Sequence, residues 1–140
     1  MPFKQTFILL FFALSSCKQK ADFIISNENE NKKSVDFIVT LGQDTIFNDT
    51  LRWTDVRPDL SNYFKKSFSK GKYVITIKGD SGKINIIQPI DLSEDSWIFV
   101  TYVGLKGIRQ ITNNSDKYKN NNDDYDTVIV HATREEPTFY

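Results

Sequence analysis

The segment Val35-Asp36-Phe37-Ile38-Val39-Thr40-Leu41 leads through Gly42-Gln43 into Asp44-Thr45-Ile46-Phe47-Asn48-Asp49-Thr50-Leu51. In its first half, apolar residues occupy every second position, so they share one face of a strand. A glycine at the first position of a two-residue loop favours a tight β-hairpin. The segment therefore predicts two antiparallel strands with one apolar face, and it sets an all-β fold as the starting expectation.

A second hairpin is predicted further along the chain. Tyr73, Ile75 and Ile77 alternate with polar residues, and Gly79-Asp80-Ser81-Gly82 then provides a four-residue reversal into the next strand. Pro89 cannot donate a backbone hydrogen bond, so we expect its strand to lie at a sheet edge or to leave the sheet.

The remaining strands are predicted from apolar runs. Trp97-Ile98-Phe99-Val100-Thr101-Tyr102-Val103 is apolar at nearly every position, which favours a strand covered on both faces in the middle of the core. Residues 60–69 fit either a helix or a strand, and we favour the strand. Other strands are expected at residues 22–26, 108–111 and 126–133, with loops at 27–33 and 112–126 and a connection between sheets at 52–59.

These elements indicate a single antiparallel β-sandwich over residues 22–140. Isoleucine, valine, threonine and aromatic residues are plentiful and alanine is scarce, which favours strands over helices. Lysine and arginine number 18, and so do aspartate and glutamate. The balanced charge gives no strong field for attracting nucleic acid, so we expect no nucleic-acid partner.

The first seventeen residues have the pattern of a signal peptide. Lys4 is followed by the apolar run Phe7–Leu14 and then by Ser15-Ser16. This run is far shorter than the roughly 20 residues that a membrane-spanning helix needs. Leu14-Ser15-Ser16-Cys17 resembles, at every position, the lipobox of bacterial lipoproteins.

The lipobox resemblance implies where the protein lives. It implies removal of residues 1–16, attachment of diacylglycerol to Cys17, further acylation of the new amino terminus with a fatty acid such as palmitate, and residues 17–21 as lipidated cysteine and tether. Two or more acyl chains give stable membrane attachment. The expected location is the bacterial cell envelope, in the outer membrane facing the periplasm. Because Cys17 is the only cysteine, the chain can form no internal disulfide.

The unit from Ser69 to Ile77 resembles the glycine-then-tyrosine strand entry of immunoglobulin-like and transthyretin-like sandwiches of bacterial envelope proteins. Such domains serve mostly as spacers, binding modules or accessory subunits. The resemblance implies no catalytic residue in this chain.

Three segments invite a chemical interpretation. Gly79-Asp80-Ser81-Gly82 looks like the nucleophile region of chymotrypsin-like proteases, but Lys83 breaks the pattern and a hairpin turn explains it. His131 is expected on a strand surface or sheet edge, and one histidine alone cannot build a usual zinc site. Asn122–Asp126 begins like an EF-hand loop, but Thr127 and Thr133 replace the turn glycine and the bidentate glutamate. We therefore expect no metal and no cofactor.

Binding is the function that the residue inventory favours. Trp53, Tyr118 and Tyr125 lie in predicted connections, where strands need not bury them, and aromatic side chains dominate binding energies. They form the predicted binding face. The expected function is a non-enzymatic binding or accessory module for a protein or glycan partner. The alternatives are a small envelope hydrolase with an unrecognised site and a structural spacer or assembly factor.

Thr45, Thr50 and Thr127 each follow an aspartate and precede an apolar residue. This triplet resembles the acceptor motif for O-glycosylation in some Gram-negative envelope proteins. The same triplets also suit residues that begin or continue a strand, so the sequence leaves both interpretations open.

Overall fold

The computed structural model describes residues 17–104 and 126–138. Within these residues the chain is all-β, with two four-stranded sheets and one short 3₁₀ turn at Asp80–Gly82. The strands are β1 (Lys18–Asn27), β2 (Ser34–Leu41), β3 (Asp44–Arg52), β4 (Tyr63–Ser69), β5 (Gly71–Gly79), β6 (Ile84–Leu92), β7 (Ser96–Val103) and β8 (Thr127–Thr133).

The strand order is β4-β1-β7-β8 in sheet A and β3-β2-β5-β6 in sheet B. Buried residues of both sheets form one apolar cluster, so the two sheets pack as a sandwich. Among its largest fully buried side chains are Phe23 and Tyr102 of sheet A and Phe37 and Leu41 of sheet B.

One strand pair departs from the predicted antiparallel arrangement. β1 pairs with β7 in parallel, from Ala21 opposite Ser96 to Asn27 opposite Tyr102. No tight turn joins these strands, because β1 leads into β2 of the other sheet, so the antiparallel pairing that a hairpin imposes is not required here. The sandwich is thus mostly, but not wholly, antiparallel.

The two predicted hairpins are confirmed. Gly42 has a φ of 58° at the first position of the β2–β3 turn, where a side chain would be strained. Asp80 and Ser81 make the β5–β6 reversal, and Pro89 lies in β6 at the edge of sheet B. Residues 63–69 form a strand, and the connection before it crosses from sheet B to sheet A, as predicted.

The residues directly after Cys17, which were predicted to form a tether, belong to the first strand. Residues 18–21 belong to β1, where Lys18 pairs with Ser69 and Ala21, fully buried, pairs with Lys66. Their polar composition suggested a linker, but backbone pairing does not require apolar side chains. The folded domain therefore begins directly after Cys17.

The expectation that β7 is covered on both faces is wrong. Ile98, Val100 and Tyr102 are buried between the sheets, whereas Trp97 and Phe99 are half-buried on the outer side. β7 is an inner strand of its sheet, but a two-layer sandwich covers only one face of each sheet. The predicted strand at 108–111 and nearly all of the predicted loop at 112–126 lie outside the described residues.

Candidate functional site

The outer side of sheet A carries a cluster of aromatic side chains, which we call the aromatic face. It consists of Tyr63 on β4, Trp97 and Phe99 on β7, and His131 on β8. Because side chains alternate along a strand, the burial of Ile98 and Val100 directs Trp97 and Phe99 outward. The sandwich fold thus places large rings from three strands on one solvent-facing surface.

Two of these rings meet above β1, the strand that separates them. The rings of Tyr63 and Trp97 are nearly parallel, with an interplanar angle of 11° and centroids 6.0 Å apart. Tyr63 pairs with Ile24 and Trp97 pairs with Asp22, so the stacked rings meet across β1 at these two positions. Although Ile24 points outward, only 5% of it is exposed.

The second half of the aromatic face is a cross-strand pair. Phe99 lies directly opposite His131 in the β7–β8 ladder, and their ring centroids are 6.2 Å apart. His131 is exposed on the edge strand β8, where the sequence placed it. The exposed imidazole and the half-buried phenyl ring together extend the aromatic face to the edge of the sheet.

A carboxylate lies beside the Tyr63–Trp97 ring pair, on one side of this surface. Asp22 is 8% exposed; it accepts a hydrogen bond from the Tyr63 hydroxyl and forms an ion pair with the Lys65 ammonium at 3.3 Å. The Lys65 ammonium also lies 6.0 Å from the centroid of the Tyr63 ring. The nearly buried charge is therefore neutralised and hydrogen-bonded, as such charges require.

The pKa values of Tyr63 and Lys65 make both residues poor proton donors or acceptors near neutral pH. The hydrogen bond to Asp22, together with burial, raises the pKa of Tyr63 above its ordinary 10.0. Hydrogen bonds to Tyr63 and Asp22 raise the pKa of Lys65 above its ordinary 10.5. The phenol stays neutral and the ammonium stays charged, whereas a general acid or base works best with a pKa near the operating pH.

A polar cluster occupies the opposite end of sheet A from Cys17. The Asn27 side chain accepts a hydrogen bond from the Asn29 backbone and donates to the Lys32 carbonyl, which orders the loop after β1. Buried Tyr102 donates to Asp126 at 2.9 Å, and burial followed by this hydrogen bond raises the tyrosine pKa strongly. These contacts join loop backbone to strand ends, which indicates a structural role.

Trp53, from the predicted binding face, lies at this same end. It forms an isolated bridge with Asn27, and the Lys33 ammonium lies 3.4 Å from its ring centroid. The indole is half-buried, with its N–H enclosed and without a hydrogen-bond partner among the described residues. Its packing closes the end of the sandwich, while its role in binding stays a prediction. Tyr118 and Tyr125 lie outside the described residues.

The modification sites named from the sequence lie at the surface. Cys17 is exposed, and its carbonyl accepts a hydrogen bond from the Lys70 backbone at 3.3 Å. Thr45 and Thr50 are exposed on β3, whereas Thr127 is half-buried at the start of β8. Lipidation and O-glycosylation stay predictions.

The turn that resembles a protease nucleophile region lies far from His131 in the fold, and residues 122–125 of the EF-hand-like segment lie outside the described residues. Ser81 lies in the turn after β5 of sheet B, whereas His131 lies in sheet A. Over residues 17–104 and 126–138, no three histidine, cysteine or acidic side chains are grouped to hold a metal ion. A shallow pocket of about 290 Å³ lies on the outer side of sheet B, bounded by Asp36, Ile38 and Lys78.

The sequence interpretation missed Tyr63, Trp97, Phe99 and Asp22 as site residues. Trp97 and Phe99 belong to an apolar run that was predicted to be buried on both faces. Asp22 directly follows the residues that were predicted to form the tether. The signal that marks Trp97 and Phe99 is the polar Thr101, two positions after Phe99, which indicates that this set of alternate residues faces solvent.

Comparisons with known proteins found no matching family model, no matching curated protein and no matching solved structure. In the part of the chain that the structure describes, no helix has the length and apolar character needed to cross a bilayer.

Proposed function

We propose that this chain is a lipid-anchored envelope protein whose β-sandwich binds a protein or glycan partner through the aromatic face, without catalysing a reaction. The observation that carries the proposal is the group of partly exposed rings, two of which, Tyr63 and Trp97, adjoin the ion-paired carboxylate of Asp22. Aromatic side chains in the centre of a surface supply most of the energy at many binding interfaces.

The composition of the face suits either kind of partner. Ring surfaces pack against apolar groups of a partner, whether these are side chains or the C–H faces of sugar rings. The exposed Lys65 ammonium and the imidazole of His131 add hydrogen-bond donors beside the rings. Binding needs only this arrangement, whereas catalysis needs converging groups with suitable pKa values.

The anchor is proposed at Cys17, from the lipobox pattern, and the cysteine is exposed where β1 begins. The bacterial envelope, with the outer membrane facing the periplasm, stays the proposed location. For the fold type, the strand order supports the transthyretin-like alternative. Immunoglobulin constant-type domains keep their first two strands in one sheet, whereas β1 and β2 here belong to different sheets.

The test is chemical crosslinking of the full-length protein in its own membranes, followed by affinity capture. We expect Trp97→Ala and Phe99→Ala each to reduce the yield of the crosslinked partner about tenfold or more, in line with aromatic hot spots. Ile87→Ala is the matched control, because Ile87 is an exposed apolar residue on the outer side of sheet B.

Two outcomes of this experiment are informative. Loss with the two aromatic variants and retention with Ile87→Ala supports the aromatic face. Retention with all three, at equal protein levels, contradicts it. A separate measurement of the mass of the amino-terminal peptide tests the anchor, because acylation of Cys17 adds a defined mass.

A further inference from the structure

The end of the sandwich that carries Cys17, which we call the Cys17 end, holds this residue at a defined place. Cys17 precedes β1, and its carbonyl accepts a hydrogen bond from the Lys70 backbone in the turn between β4 and β5. Because Ser69 pairs with Lys18, this turn lies directly beside the start of β1. Cys17 therefore lies at the corner of the domain where β1, β4 and β5 meet.

Exposed lysines surround this corner. Because Lys18 and Lys20 alternate with buried Ala21 along β1, they point to the outer side of sheet A. Lys72 alternates with buried Ile75 in the same way and points to the outer side of sheet B. We call this group of exposed lysines the basic corner: Lys18, Lys20, Lys70 and Lys72.

The basic corner keeps a positive excess beside its acidic neighbours. Asp91 lies opposite Lys72 in the β5–β6 ladder, and Asp95 accepts a hydrogen bond from the Lys20 backbone. Glu94, the other carboxylate of the β6–β7 turn, is already paired with an arginine. Within the described part of the chain, no ammonium group of the basic corner forms an ion pair. These charges are therefore available to an anionic surface.

The short distance between Cys17 and the sheet decides what the basic corner faces. β1 begins at the residue after Cys17, and consecutive Cα atoms are only about 3.8 Å apart. Acyl chains on Cys17 would therefore hold the Cys17 end directly against the headgroup layer. The attraction of a lysine to an anionic bilayer extends over a Debye length, about 10 Å at 0.1 M salt. Lys18, next in sequence, and Lys70, bonded to the Cys17 carbonyl, lie within this range.

We propose that the basic corner docks on the anionic phospholipid headgroups of the membrane that anchors Cys17. Its ammonium groups donate hydrogen bonds to headgroup phosphates, which are charge-assisted and strong. Because the lysines lie on the outer sides of both sheets, the sandwich stands on the bilayer by its Cys17 end, and the aromatic face stays open to a partner. The inference rests on the proposed lipid anchor, to which it adds an electrostatic attachment.

The test measures partition of the chain of residues 17–140, which keeps every described strand, between water and vesicles. One alkyl chain is attached to the thiol of Cys17, the only cysteine. A single chain binds only marginally and reversibly, so added electrostatic binding changes the partition coefficient measurably. The vesicles are phosphatidylcholine, alone or mixed with phosphatidylglycerol. We expect tighter partition onto the anionic vesicles, about fivefold for each contributing lysine, and loss of the difference at high salt.

Matched double variants locate the docking surface. Lys70→Gln with Lys72→Gln removes two charges from the basic corner, and we expect partition onto the anionic vesicles to weaken about tenfold or more while partition onto phosphatidylcholine stays unchanged. Lys78→Gln with Lys83→Gln removes the same charge from exposed positions at the other end of the β5–β6 hairpin. We expect no change with this control pair. Cooperative thermal unfolding of both double variants shows that they are folded.

Two results would overturn the proposal. One is equal partition of the unsubstituted chain onto the two kinds of vesicle. The other is equal weakening by the two double variants, since binding would then follow net charge alone. Because the alkyl chain is attached chemically, the result does not depend on whether cells acylate Cys17, which the mass of the amino-terminal peptide tests separately. None of the substitutions lies on the aromatic face, so failure here is distinct from failure of the proposed function.

Discussion

An outward-pointing isoleucine is exposed to a very different extent on the two outer faces of the sandwich. Ile24 on sheet A is 5% exposed, whereas Ile87 on sheet B is 68% exposed. Ile24 lies between two aromatic residues in the ladder, Tyr63 and Phe99, whereas the pairing partner of Ile87 is the much smaller Thr76. β1 has neighbours on both sides, while β6 is an edge. Burial on the outside of a two-layer fold is thus created by neighbouring side chains.

The largest expected difference between the faces follows from these two isoleucines. Ile24→Ala should lower the free energy of unfolding by about 2–4 kcal/mol, because it leaves a cavity beneath the rings. Ile87→Ala should change it by less than about 0.5 kcal/mol, as exposed substitutions do. Urea denaturation of both variants provides the measurement. Equal losses would show that the rings do not shield Ile24.

The next effect concerns Trp97, which the outer position of β7 leaves half-buried. Trp97→Ala should cost about 2 kcal/mol, less than the roughly 3–5 kcal/mol of a fully buried aromatic residue. Phe37→Ala is the comparison, because Phe37 lies between the sheets and is 1% exposed. If thermal unfolding gives the two variants the same loss, Trp97 is a core residue and the aromatic face is misassigned.

The loss of stability at alkaline pH should depend more on Tyr102, which lies between the sheets, than on Tyr63, which lies on the outer face. Folding raises the pKa of Tyr102 and of Tyr63, so the folded state favours the neutral phenols. Their stabilisation is complete below the ordinary pKa of 10.0 and is lost as pH rises through the folded pKa. Tyr102 should account for about 1 kcal/mol of loss by pH 11. The decline from pH 9 to 11 should be shallower in Tyr102→Phe than in the wild type, and Tyr63→Phe should change it less. An unchanged decline in Tyr102→Phe would contradict this assignment.

The smallest expected effect is electrostatic. Asp22→Asn removes the ion pair with Lys65 from sheet A and should cost about 1 kcal/mol, since the carboxylate is nearly buried but the ammonium is exposed. Asp36→Asn is the counterpart on sheet B, where the exposed carboxylate accepts from the Ser81 backbone. It should cost less than about 0.5 kcal/mol. A larger loss for Asp36 than for Asp22 would reverse the comparison.

Local sequence signals predicted the hairpins well. Gly42 and the Gly79–Gly82 reversal specify turns within a few residues, and the alternation on either side specifies the strands. The strand at 63–69 was also predictable, because Phe64 and Phe68 alternate with polar residues. These features depend on neighbours in the chain, so one sequence is enough to predict them.

The aromatic face was not predictable in the same way. An apolar run such as Trp97–Val103 indicates that side chains on both faces of the strand are at least partly buried. It does not show whether another sheet covers each face or whether only side chains of neighbouring strands do so. The parallel pairing of β1 with β7 is equally non-local, since the two strands are far apart in the sequence. The burial of Asp22 depends on this non-local pairing and on the outer aromatic side chains, because Tyr63 and Trp97 come from the strands on either side of β1.

The direct entry of Cys17 into β1 has a mechanical consequence. A force applied at Cys17 acts along β1, which is hydrogen-bonded to β4 on one side and to β7 on the other. Such a force loads both ladders in shear, so many hydrogen bonds share it at once, whereas a force across an edge strand would open them one at a time. Because β1 begins directly after Cys17, tension on the partner proposed for the aromatic face would reach the proposed anchor at Cys17 through the paired strands of sheet A.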